Sequence, residues 1–126
     1  MRIYLAGRHN RRDELRRCAD DLRKMGHEVT ARWLEEHHQA PGPLDHPAWA
    51  TIAQEDVEDV SAADTVIGFA EPERGGGGGR HVEFGMGLAQ GKRMLVVGNA
   101  EHLFHTLPAV QIFNAWSDAL HALTSG

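Results

Sequence analysis

Apolar residues along the chain come in short runs separated by stretches of helical spacing. RIYLA at 2–6 is a run of the length of a buried strand, and Gly7 closes it. Over 12–25, Leu15, Cys18, Ala19, Leu22 and Met25 recur at spacings of three and four, which predicts a helix with one buried stripe; Gly26 ends it. EVTAR at 28–32 predicts a second strand. The pattern then breaks over 34–47, which carries Pro41, Gly42, Pro43 and Pro47. Irregular stretches of that length in a compact domain are often functional or mobile. Helical spacing returns over 47–62, and TVIGFA at 65–70 predicts a third strand. After Pro72 and Arg74 come five consecutive glycines at 75–79. A helix from about His81 to Gln90 stops at Gly91. MLVV at 94–97 predicts a fourth strand, 110–113 a short fifth, and 117–123 a last helix with Trp116, Leu120 and Leu123 facing inward.

Strands alternating with helices predict an α/β fold. It is a single doubly wound parallel sheet, flavodoxin-like or Rossmann-like, of about five strands with helices on both faces, spanning 1–126 as one domain. Ligands of such sheets bind beyond the carboxyl ends of the strands. Three loops thereby become candidates: 7–11, 34–47 and 71–80. The glycine run follows the third strand and lacks Gly-Lys-Ser/Thr, so it is neither a P-loop nor a dinucleotide fingerprint. It is either a place of close ligand approach or a surface loop.

Composition narrows the classes. With 41% hydrophobic and 25% charged residues, the 126-residue chain has material for a core and reads as soluble and globular. No apolar run approaches the roughly 20 residues of a membrane span, and the opening apolar stretch is too short for a signal peptide. The single cysteine, Cys18, forms no internal disulfide, which fits a reducing compartment, the cytoplasm. A net charge of -5 argues against a nucleic-acid polymer as partner. Most of the lysines and arginines nevertheless crowd into the first 24 positions. That concentration is either a solvated helix face or a site for a small anion.

Several residues carry candidate chemistry. Glu83 falls in the first turn of the helix after the glycines, where the positive helix end favours a carboxylate, though acids are common there in any case. Asp56 lies on the stripe of Trp49, Ile52, Ala53, Val60 and Ala63, while Glu55, Glu58 and Asp59 fall mostly on the outer face. An inward carboxylate is costly without a partner or a task. Gly7, Arg8, His9, Asn10, Arg11 and Arg12 join the first strand to the first helix and suit a phosphate. Tyr4, in the strand just before, either belongs to the core or turns its hydroxyl to the site. The nine histidines, including His37, His38 and His46, show no zinc spacing, and no metal or cofactor is assigned.

Taken together, these residues resemble a known family. Tyr4-Leu5-Ala6-Gly7 resembles its first strand and turn. Asp56, then Val60, Ala63, Asp64 and TVIGFA, resembles its Asp-bearing helix and third strand. Gly79-Arg80-His81-Val82-Glu83-Phe84-Gly85, followed by Leu88-Ala89 and Gly91-Lys92, resembles its nucleophile motif. The family is that of the nucleoside 2-deoxyribosyltransferases, which includes 2'-deoxynucleoside 5'-monophosphate N-glycosidases. The resemblance covers about the first hundred residues; the long glycine run and Arg80-His81 depart from it. It implies Glu83 as nucleophile, Asp56 assisting at the base and Tyr4 positioning sugar and Glu83. Gly7, Arg8, His9, Asn10 and Arg11, with Gly79, Arg80 and His81, are the expected substrate-binding residues. The partner is then a small nucleoside or nucleotide, with no membrane, and a homodimer is expected. Hydrolysis of a nucleoside 5'-monophosphate is the first expectation and base exchange on free deoxynucleosides the second. A non-catalytic nucleotide-binding domain is the third, and an FMN-binding flavodoxin-like protein fits poorly. The loop 34–47, with Trp33, His37 and His38, is expected to lie over the base.

Overall fold

The computed structural model describes residues 1–35, 41–72 and 78–124. Five strands run in chain order: β1 Arg2–Ala6, β2 Glu28–Val29, β3 Thr65–Phe69, β4 Arg93–Val97 and β5 Val110–Phe113. The helices are α1 Arg12–Lys24, α2 Ala48–Ala62, α3 Gly79–Ala89 and α4 Trp116–Thr124. The strands form one parallel sheet in the order β2-β1-β3-β4-β5. The chain direction across the sheet therefore reverses between β1 and β3, where Tyr4 pairs with Val66 and Ala6 with Gly68. A doubly wound sheet opens a ligand crevice at such a switch point.

The apolar runs become the central strands because both of their faces are covered. Ile3, Tyr4, Leu5, Val66, Ile67, Leu95 and Val96 are wholly buried. The stripe of α1 seals one face with Leu15, Cys18, Ala19 and Leu22. On the same side the Trp116 indole N–H donates to Asp21 of α1 at 3.0 Å, tying α4 to α1. The other face carries α2 and α3. At Gly87 the close approach of α3 needs the missing side chain, since a Cβ there would lie 2.6 Å from Val66 Cγ2.

Three elements depart from the sequence reading. The second strand is two residues long rather than five. After Thr30 bonds back to Ile3, the Arg32 backbone N–H turns to the Asp59 carboxylate at 2.9 Å, drawing the chain off the sheet edge. The interior face of α2 is not the expected apolar stripe: Ala53 is exposed, Trp49 and Ile52 are half-buried, and Val60 is buried beside Asp59. Asp59, expected on the outer face, is turned inward because Arg32 compensates its charge. Finally, α3 begins at Gly79, two residues before the expected start, so Glu83 lies beyond the first turn. His37, His38 and Gly75 to Gly77 fall outside the described residues.

Candidate active site

Tyr4 projects from β1 toward α3, and its hydroxyl donates to Glu83 Oε2 at 2.5 Å. The two residues are 79 positions apart in sequence. They meet because β1 and β3 are neighbours and α3 lies directly on them. Burial first, and the nearby Asp56 charge after it, push the Glu83 carboxyl up to about 7 against the Tyr4 bond, which works in the opposite direction. The Tyr4 phenol is held far above its usual range, first by burial and then by the charges of Glu83 and Asp56. Asp56 of α2 thus acts electrostatically on both members of the pair. The structure brings together the three residues expected to be catalytic, from β1, α2 and α3. A carboxyl poised near neutrality switches between acid and nucleophile within the physiological range.

The turn after β1 is more self-compensated than a bare phosphate site. A Cβ on Gly7 would lie 2.7 Å from Leu15 Cδ2, so that glycine admits α1 close to the sheet. Residues His9–Arg11 form a short 3-10 turn on which His9 and Asn10 are exposed. Arg11 donates to Glu71 at 3.0 Å, to Glu14 at 2.6 Å and to the Ala70 carbonyl at 3.0 Å. Arg8 reaches the other Glu71 oxygen at 3.5 Å and remains 37% exposed. Arg12 is directed elsewhere, to the Leu34 carbonyl. A cavity of about 470 Å³ opens here between Arg8, Asn10, Arg11, Glu14, Glu71 and Pro72. Sequence reasoning does not separate Glu71 from the rest of the loop 71–80; it stands two residues beyond β3, at the carboxyl edge where ligands of such sheets bind.

The expected residues at the start of α3 form a separate cluster. Arg80 is buried and makes a two-point ion pair with Glu101, at 2.6 and 2.7 Å. His81 meets the His102 ring edge-on at 4.9 Å between centroids. His105 is buried beneath them, and its Nδ1 accepts the Glu101 backbone N–H at 3.0 Å. Burial, with His102 next, pushes His105 down to about 4. This cluster ties the first turn of α3 to the segment after β4; Gly79 itself is exposed at the helix start. Among the described residues, no group of three or more His, Cys, Asp or Glu is arranged to hold a metal ion. Trp33, a candidate for stacking on a base, donates its indole N–H to the Leu5 carbonyl at 3.0 Å and has His9 beside it.

Two carboxyls and a phenol thus gather beside the switch point of a parallel α/β sheet, the place where such folds hold their ligands. Comparison with known proteins narrows the class. The profile of the nucleoside 2-deoxyribosyltransferase family matches residues 3–116, and the chain belongs to that family of nucleoside-processing glycosyltransferases and N-glycosidases. The fold is similar to that of the 2-deoxyribosyltransferase of Bacillus psychrosaccharolyticus, with a TM-score of 0.74 and 21% identity over 95% of this chain and 90% of that one. It is also similar to the Clostridium botulinum CMP N-glycosidase BcmB, with a TM-score of 0.62 and 23% identity over 100% of both chains. No curated protein sequence matches. Among the described residues, no helix is long and apolar enough to cross a membrane.

Proposed function

We propose that the protein hydrolyses the N-glycosidic bond of a (deoxy)nucleoside 5'-monophosphate through a covalent glycosyl ester on Glu83. The observation that carries this reading is the Tyr4–Glu83 bond, with Asp56 close enough to act on both. Tyr4 holds Oε2 and leaves the other carboxylate oxygen to attack the anomeric carbon. With one proton held between the two carboxyls, Glu83 attacks in the form that leaves it on Asp56: as the C–O bond forms, the carbon–nitrogen bond breaks, and the base leaves with that proton. Water, deprotonated by Asp56, then cleaves the ester and restores both carboxyls. The logic is that of retaining glycoside hydrolysis, with two carboxyl groups in different states.

The monophosphate preference rests on Arg8, half exposed and only loosely held by Glu71. A bond from it to phosphate contributes about 1.5–3 kcal/mol, so Arg8→Ala should lower kcat/KM for the monophosphate roughly ten- to a hundredfold. The matching nucleoside should barely respond. The second reading is base exchange on free deoxynucleosides, and the Glu71 contacts to Arg8 and Arg11 favour it, because they already neutralise the turn. Released base is measured for both substrate forms, with and without an acceptor base, in wild type, Arg8→Ala and Glu83→Ala. Equal use of nucleoside and monophosphate by the wild type would transfer the lead to base exchange. Unchanged turnover in Glu83→Ala would remove both readings.

A further inference from the structure

The polar seat of α2 is the least expected feature of the fold. One and three residues beyond the end of β2, at Thr30 and Arg32, the chain is fastened to the last turns of this helix. The Asp59 carboxylate accepts the Arg32 backbone N–H at 2.9 Å and the Arg32 Nε–H at 2.9 and 3.2 Å. The Thr30 hydroxyl donates to the Asp59 carbonyl at 2.8 Å, and a terminal Arg32 nitrogen to the Glu55 carbonyl at 3.4 Å. Asp59 is 6% exposed, and the one other residue of α2 that is buried is Val60. Apolar packing alone therefore does little to fix the rotation and height of this helix on the sheet. Asp56 precedes Asp59 by three residues, so the two project from neighbouring points on one face. Both act electrostatically on the Tyr4 phenol.

We propose that the Arg32–Asp59 pair is a positioning device for Asp56, clamping α2 to the end of β2 so that the Asp56 carboxyl meets the departing base. The inference rests on the proposed role of Asp56 in cleavage. Directional bonds fix a helix's rotation more tightly than an apolar contact does, and a misplacement of about 1 Å at a reacting group costs up to a hundredfold in rate. Arg32 and Asp59 touch no reacting atom; they act through Asp56.

The test is a double-mutant cycle on kcat/KM. Arg32→Ala, Arg32→Lys and Asp59→Asn are each made in the wild type and in Asp56→Asn. Each is assayed on a pair of substrates whose bases differ in leaving ability, with melting temperatures recorded throughout. Arg32→Ala and Asp59→Asn should slow the poor leaving base roughly tenfold and the good one less than about twofold. Arg32→Lys, which keeps the cation beside Asp59, should recover part of the loss. In Asp56→Asn the same changes should cost less than about twofold on either substrate. Equal losses on both substrates, or losses that persist undiminished in Asp56→Asn, would overturn the positioning role and leave a structural brace. Should Asp59→Asn fail to fold, the half-exposed Arg32 variants decide by the same criteria. A Glu83→Ala control separates the two levels: full turnover there overturns the cleavage reading itself, whereas its loss leaves the cycle to judge the clamp alone.

Discussion

Glu83 is under opposing demands. As the proposed nucleophile it must be ionised to attack, yet its surroundings favour the neutral form, and its carboxyl sits at about 7. The acid limb of kcat/KM should accordingly rise with pH through about 7. Tyr4→Phe removes the one bond that favours the ionised form, so the limb should move to higher pH; a limb that stays in place would show that Tyr4 does not act on Glu83. The same shift bears on stability. The folded value lies above the ordinary 4.5, so the contribution is fully present below about pH 4.5 and is lost as pH rises through about 7. At most about 3 kcal/mol is involved. Glu83→Gln should therefore melt several degrees above the wild type near pH 8 and close to it near pH 4, a difference that scanning calorimetry resolves. The sequence marks the places of Glu83, Asp56 and Tyr4, near a glycine run, on an apparent helical stripe and in a strand before a turn, while the roles expected of them come from the family resemblance. Asp59 has no such mark. A stripe argument assigns acids to the outside, and the arginine that compensates this one lies 27 positions away. No local window contains both partners.

Among the elements, α3 matters most to the site. Gly87 stands one turn beyond Glu83 and presses against Val66, with no room for a Cβ. Gly87→Ala should lift the helix from β3, lowering stability by about 1–3 kcal/mol and reducing kcat up to a hundredfold. A melting scan and a turnover assay on the same sample measure the two effects. Gly85→Ala, whose added methyl meets nothing within 4 Å, should hold or raise the melting temperature. A kcat for Gly87→Ala that falls no further than its stability loss explains would remove the claim that close packing sets the reach of Glu83. Strand five is found within its expected bounds, and α1, β3, β4 and α4 within one or two residues of theirs, because their apolar spacing and glycine stops are local signals. The early start of α3 was hidden. Glycine is a poor helix former, and what holds Gly79 in the first turn is the Arg80–Glu101 pair, whose partner comes after the next strand.

At the scale of the whole molecule, alternating strands and helices announce a parallel sheet but not the neighbours of each strand. The switch between β1 and β3, which makes Tyr4 and Glu83 meet, depends on which helix covers which face. We propose that the enzyme works as a homodimer. Leu103 and Phe104, 71% and 53% exposed, lie with the exposed Leu107 in one short apolar segment, which is the proposed contact with a second copy. Trp116 is already engaged with Phe69 and Asp21, and Trp49 with the Gly42 carbonyl. Light scattering at tens of micromolar should give twice the chain mass, and Phe104→Glu should halve it; a monomeric wild type would refute the pairing.

The composition of the chain adds a practical consequence. Tyr4 is its sole tyrosine, and it is wholly buried in the innermost bond of the site. Tyrosinate absorbs in the near ultraviolet where neutral phenol does not. In alkaline solution the absorbance of the native protein in that band should stay at the level its three tryptophans set, well past the pH at which a free phenol ionises. The tyrosinate absorbance should then appear as the chain opens. The enzyme thus carries an intrinsic optical gauge, reporting from a single atom whether the bond between its first strand and its third helix is still closed.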